Sequence, residues 1–145
     1  MSTTASNISQ NYSLRVYYED TDAGGIVYYA NYLKFFERAR TEWLRELGIN
    51  QATFLEQNIG FVVRKVEMNN IASAKLDDLL NVNSTITTLK RASLVFYQQI
   101  TNQAQQVICT ATVQVACVNF QSNDSQRVKP MAIPESILGA FKRVC

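Results

Sequence analysis

Along YSLRVYYE (12–19), Leu14, Val16 and Tyr18 alternate with Arg15, Tyr17 and Glu19, the period of two expected of a half-buried strand. Past DTDAGG the period lengthens. Tyr29, Tyr32, Phe36, Ala39, Trp43 and Leu47 recur at intervals of three and four, while Lys34, Arg38, Glu42 and Arg45 take the opposite side, which predicts an amphipathic helix of about five turns. Gly48 follows the last apolar position and suits a C-cap. From Gly60 onward the pattern is β: GFVVRKVEMNNI, DLLNVNSTITTL, SLVFYQQITNQ and QVICTATVQVACVNF are rich in β-branched and aromatic residues and separated by short polar turns. Such short connections favour antiparallel neighbours. In the second of these segments Leu80, Val82 and Ile86 alternate with Asn81, Asn83, Thr85 and Thr87, so one face is wet or meets a partner. Pro130 and Pro134 punctuate the tail, and a short helix is expected from about Pro134, a favoured first helical position.

One long helix and about five antiparallel strands give an α+β class. A sheet curled around the helix would cover its apolar stripe; a sandwich with the helix lying flat satisfies the same periodicities, and periodicity does not choose between them. With 145 residues, 47% of them hydrophobic, the chain has material for one core and not two. The division expected is a flexible N-terminus over 1–11 and a single domain over 12–145.

Charge and special residues then narrow the chemistry. Fourteen Lys and Arg against twelve Asp and Glu leave a formal charge of +2, too small to indicate nucleic acid without a concentrated patch. The opening MSTTASNISQN lacks the basic start and apolar core of a signal peptide, and no stretch nears the roughly 18 apolar residues of a membrane helix, so a cytoplasmic location is expected. Cys109, Cys117 and Cys145 lack metal-type spacing and read as buried or incidental thiols. Histidine is absent, which removes Ser-His-Asp and Cys-His catalysis, His-ligated zinc and any hydratase using a His base. Chemistry is left to carboxylates, hydroxyls, cations and backbone amides.

That directs attention to DTDAGGIVYYANY (20–32), where strand gives way to helix. Structurally, Asp20 and Asp22 are ordinary loop and cap residues and Gly24 and Gly25 let the chain reverse. Functionally, two glycines ahead of a helix leave amide N–H groups unshielded at a positive helix end, able to polarise a carbonyl that a nearby carboxylate attacks or hydrates. Tyr28, Tyr29, Tyr32, Phe35 and Phe36 read mainly as helix-core aromatics, Lys90 and Arg91 as a hairpin turn, Asp77 and Asp78 as turn organisers, and Glu37 as a polar flank of the helix.

The stretch YYEDTDAGGIVYYANYLKFFERARTEWLRELGI resembles the N-terminal signature of the 4-hydroxybenzoyl-CoA thioesterase family of hotdog-fold proteins, and within it the Tol-Pal-associated acyl-CoA thioesterases. The resemblance continues through FVVRKVEM, AKLDDLLNVNSTITTLKRASLVF and KPMAIPESI, covering nearly all but the first ten or so residues. It implies a helix wrapped by an antiparallel sheet, dimers with a continuous sheet, and often tetramers. It also implies that Asp22 is the catalytic aspartate, nucleophile or general base, and that the carbonyl-polarising amide belongs to Tyr29. Gly24 and Gly25 match the family's glycines, and Lys90, Arg91, Ser93, Arg127 and Lys129 fall where relatives contact the phosphates of coenzyme A. One position departs: Tol-Pal-associated members usually carry histidine where this chain has Tyr29, whereas the hydroxybenzoyl branch has tyrosine.

The function so implied is hydrolysis of an acyl-CoA thioester, with acyl-carrier protein as another carrier and no metal or permanent cofactor, coenzyme A being part of the substrate. Two other classes stay open at this point: a hotdog protein that binds acyl-CoA or acyl-carrier protein without turnover, and a small β-rich carrier of free lipid. A homo-oligomer, dimer or tetramer, is expected.

Overall fold

The computed structural model describes residues 10–120 and 128–144. Six strands, β1 (Gln10–Arg15), β2 (Ile59–Asn70), β3 (Leu79–Leu89), β4 (Ser93–Thr101), β5 (Val107–Asn119) and the two-residue β6 (Lys129–Pro130), accompany three helices, α1 (Asn31–Glu46), α2 (Gln51–Glu56) and α3 (Glu135–Val144). The sheet runs β1-β3-β4-β5-β2 with every pairing antiparallel, and β6 joins β5 at Val118 and Asn119. The expected β segments and the C-terminal helix are therefore present.

Boundaries moved where backbone bonding overrode side-chain alternation. The first strand was expected over 12–19; β1 starts at Gln10, inside the stretch expected to be flexible, and stops at Arg15. Tyr18–Asp20 instead form a 3-10 turn, with Asp20 Oδ2 accepting from the Tyr17 N–H at 2.9 Å. Tyr18 is consequently exposed, while Val16 is fully buried and Leu14 packs against the core as expected. α2 carried no sequence signal strong enough to be expected; Asn50 caps it by accepting from the Ala52 N–H at 3.0 Å.

The sheet bends around α1, whose Tyr32, Phe35, Phe36, Ala39, Trp43 and Leu44 are buried against it. Trp43 stands edge-on to Phe96, ring centroids 5.4 Å apart, and leans on Phe141 of α3 at 5.8 Å. Each fully buried side chain of this size stabilises the fold by about 1.5–3 kcal/mol. Gly48 ends the helix at φ +81°, and its N–H donates to the Arg45 carbonyl, as a C-terminal glycine should.

A polar pin fixes the helix to the sheet. Gln98, wholly buried in β4, donates through Nε2 to the Phe36 carbonyl (3.0 Å) and the Ser84 hydroxyl (2.8 Å), and its Oε1 accepts from Arg40 Nη1 at 2.8 Å. Burial pushes the Arg40 guanidinium below its ordinary range, partly offset by Glu37. Since a buried amide without partners costs about 1–3 kcal/mol, this network selects one rotation of α1 over its neighbours.

Candidate active site

The junction between β1 and α1 is a small hairpin. Thr21 bridges Val27, and the Asp22 N–H donates to the Ile26 carbonyl at 3.0 Å. Gly25 turns the chain at φ +74°, where a side chain would be strained. Gly24 needs no such licence: a Cβ there would meet Asp22 Oδ1 at an ordinary 3.5 Å. What Gly24 supplies is its N–H, given to Asp22 Oδ1 at 2.9 Å, which holds one carboxylate oxygen and leaves the other without a protein donor among the described residues.

This corrects the expectation of unshielded glycine amides. The Gly24 N–H is taken by the Asp22 side chain and the Gly25 N–H by the Asp22 carbonyl at 3.1 Å. Among the described residues the N–H groups of Ala23, Ile26, Tyr29 and Ala30 have no acceptor, and of these only Tyr29 and Ala30 are adjacent and stand just ahead of α1, where the Asn31, Tyr32 and Leu33 N–H groups already bond back to Tyr28, Tyr29 and Ala30. A free N–H pair at the positive end of a sixteen-residue helix is a place for developing negative charge on oxygen.

Two of the five aromatics expected in the helix core lie outside it. Tyr28 and Tyr29 are 52% and 57% exposed and lean on one another with centroids 5.1 Å apart, because α1 begins at Asn31 and the turn before it points outward. Tyr32, Phe35 and Phe36 are buried as expected. Burial pushes the Tyr32 phenol up in pKa, and the bond its oxygen accepts from the Ala74 N–H, 3.0 Å, pulls it partly back.

The expected coenzyme A contacts are not beside Asp22 in this chain. The Lys90 N–H closes a turn onto the Ser93 carbonyl at 2.8 Å, Arg91 holds the tail by accepting from the Ile133 N–H, and Lys129 lies in β6 opposite Asn119. All belong to the end of the sheet marked by Leu89, Ser93, Asn119 and Ile59. The junction belongs to the other end, where Arg15 pairs Leu79 and where the Val27 N–H reaches the Ala74 carbonyl. The eleven residues of β3, about 3.3 Å each, separate the two sets. Arg127 lies outside the described residues. Among the described residues no three His, Cys, Asp or Glu converge as metal ligands, and no helix is long and apolar enough to cross a membrane.

Between α1 and β2 lies a cavity of about 370 Å³, lined by Glu37, Arg40 and Thr41 on one side and by Phe61, Val63 and Phe96 on the other. None of the junction residues lines it. Val63 and Val66 are 46% and 36% exposed beside the outer edge of β2, which among the described residues pairs only with β5. Sequence reading named only Glu37 of this polar wall and passed over Arg40, although Arg40 is a cation set in the apolar stripe, four residues after Phe36 and three before Trp43, and that is the signal that could have found it.

Comparison with known proteins decides what the arrangement belongs to. A family model described as the thioesterase-like superfamily matches residues 16–141. The chain belongs to this superfamily. An acyl-CoA thioesterase named YbgC from Haemophilus influenzae is 46% identical over 132 residues, spanning 90% of this chain and 93% of that protein. Among solved structures, a probable thioesterase from Bartonella henselae superposes with a TM-score of 0.77 at 36% identity, over 88% of this chain and all of that one. The 4-hydroxybenzoyl-CoA thioesterase of Pseudomonas sp. strain CBS-3 superposes at 0.80 over 91% and 98% of the two chains; at 22% identity it attests the fold alone. The curled sheet around one long helix is the hotdog fold of this thioesterase superfamily, and the flat-helix sandwich is set aside.

Proposed function

We propose that this chain is an acyl-CoA thioester hydrolase whose working site is built by two copies. The observation that carries the chemistry is the pairing, within one hairpin, of a carboxylate held through a single oxygen with free amides at a helix start. The thioester carbonyl sits over the Tyr29 and Ala30 N–H groups, which strengthen their hold as its oxygen gains charge; losing one such donor typically costs about 10² to 10³ in rate. Asp22 then acts in one of two balanced ways. As nucleophile it adds to the carbonyl carbon, the C–S bond breaks to release coenzyme A thiolate, and water cleaves the resulting anhydride. As base it takes a proton from water while the hydroxide adds. Either way one water is consumed, and acid and thiol are released, without a resident cofactor. An acyl-carrier protein presents the same thioester on the same kind of arm and is a second substrate class on this reading.

Two copies are invoked because the cations lie at the wrong end of their own sheet. Joining the free edge of β2 antiparallel to that of a second copy continues the sheet, covers Val63 and Val66, and sets the junction of one chain beside the Lys90, Arg91, Ser93 and Lys129 end of the other. The α1–β2 cavity then opens toward the partner's Asp22 and receives the acyl group. The test is thiol release across a panel of acyl- and aryl-CoAs by wild type and Asp22→Asn. Asparagine keeps size and capping capacity but neither attacks nor takes a proton. Turnover should fall at least 10³-fold while folding and acyl-CoA binding survive. Near-normal turnover in folded Asp22→Asn would reduce the junction to a structural cap.

A further inference from the structure

We infer that Asn31 is a positioning residue for the reaction, holding the free amides of Tyr29 and Ala30 in register with the Asp22 carboxylate; this rests on the reading just given. The Asn31 side chain is the first of α1, and its Nδ2 donates to the Asp20 carbonyl at 3.1 Å and reaches Asp20 Oδ1 at 3.5 Å. The same Asp20 carbonyl accepts from the Tyr28 N–H at 3.2 Å. One peptide oxygen thus gathers the strand that leads to Asp22, the returning limb of the hairpin and the helix that follows the free amides.

Nothing else in the hairpin spans those three segments. The Gly24 and Gly25 bonds close the turn around Asp22 alone, and the Asp22–Ile26 bond ties only the two limbs. On the inner side, the Tyr32 hydroxyl and the Val27 N–H both hold Ala74, which anchors the hairpin to the 71–78 segment but leaves the tilt of its limbs against the helix start unfixed. Asn31 is half-buried, so its amide has a defined orientation. A reacting geometry tolerates little error, since a displacement of about 1 Å can cost roughly 10²-fold in rate. Without the side-chain amide, the helix start keeps its turn bonds to Tyr28, Tyr29 and Ala30 but loses its tie to the Asp20 limb, and the angle between amides and carboxylate loosens.

The experiment compares Asn31→Ala, Asn31→Ser and Asp20→Ala with wild type for kcat, KM and Tm, using one acyl-CoA that wild type turns over. Asn31→Ala should lower kcat by about 10- to 100-fold with KM within about threefold. Asn31→Ser, which keeps a donor on a shorter stem, should recover part of that loss. Asp20→Ala should be milder than Asn31→Ala, because the carbonyl that Asn31 holds is main chain. A wild-type kcat in Asn31→Ala, a change confined to KM, or equal kcat losses in Asn31→Ala and Asn31→Ser would overturn the assignment. If Asn31→Ala fails to fold, the serine variant decides by the same split: a lowered kcat supports positioning, and a wild-type kcat overturns it. Failure here with activity still abolished by Asp22→Asn would sink only the role of Asn31. Activity retained in Asp22→Asn would sink the parent reading instead.

Discussion

The two ends of the sheet are built on opposite terms. At the junction end, chemistry is packed into thirteen residues whose polar groups mostly bond one another; among the few left free in the described residues, one Asp22 oxygen and the adjacent Tyr29 and Ala30 amides stand out because that amide pair sits at the start of α1. At the other end, Lys90, Arg91 and Lys129 are exposed side chains on turns and a two-residue strand, with main-chain bonds that fix the backbone but no ion-pair partner among the described residues. On the proposed reading the first end is where bonds are made, and geometry governs rate there. The second suits a charged, solvated group such as phosphate, where attraction is screened by salt and governs affinity. Neither end completes the proposed site alone.

The sharpest way to break that division of labour is to separate the two ends by mutation and recombine them. Asp22→Asn and a double variant Arg91→Ala/Lys129→Ala, each weak alone at low substrate, should on co-expression form mixed dimers in which one of the two sites is intact. Random pairing then returns about a quarter of wild-type activity. No recovery from a confirmed mixed dimer would mean that each chain builds its site by itself. On its own the double cation variant should raise KM far more than it lowers kcat, since phosphate contacts exist in ground and transition states alike, and the difference should shrink as salt is added. An unchanged KM at low ionic strength would move coenzyme A elsewhere.

A smaller effect tests whether the junction acts through main chain or side chain. Tyr29→Phe leaves the amide untouched, so activity should stay within about tenfold of wild type, a barrier difference of about 1.4 kcal/mol. Collapse of turnover would make the exposed phenol a reacting group.

The least effect is expected at the buried thiols, one toward each end of β5. Burial pushes the Cys109 thiol up to about 12 and raises Cys117 as well, against a bond from Val118 that lowers the latter. An unfolded thiol titrates near 8.5, so between about 8.5 and 12 the native state binds more protons than the unfolded one and stability falls as pH rises. This contribution is fully present below the unfolded value and lost as pH climbs through about 12. Alkylation at pH 8 should therefore modify both thiols far more slowly in the native than in the unfolded protein, with activity unaffected; rapid native labelling would show that the core opens locally.

Much of the molecule was legible before any coordinates. Alternation along Leu80, Val82 and Ile86, the three-and-four spacing of Tyr32, Phe36, Ala39 and Trp43, and Gly48 at the helix end are local signals whose physics lies within a few residues, and each appears in the fold. The lack of histidine and the crowding of Asp22, Gly24 and Gly25 pointed to the junction for the same reason. Tertiary structure alone decided the rest. Sheet order placed β2 at an edge beside β5, a pairing of segments far apart in sequence that no local period encodes. Main-chain bonding ended β1 at Arg15, turned Tyr28 and Tyr29 outward and closed the glycine amides, leaving the Tyr29 and Ala30 N–H groups free instead. Three-dimensional closeness of Arg40, Gln98 and Ser84 made a pin out of residues whose local periods name no partner. The strand length that carries Lys90 and Arg91 away from Asp22 was visible in sequence, but its consequence appears only when the sheet is assembled, because distance between residues is set by which edges pair and not by the residues themselves.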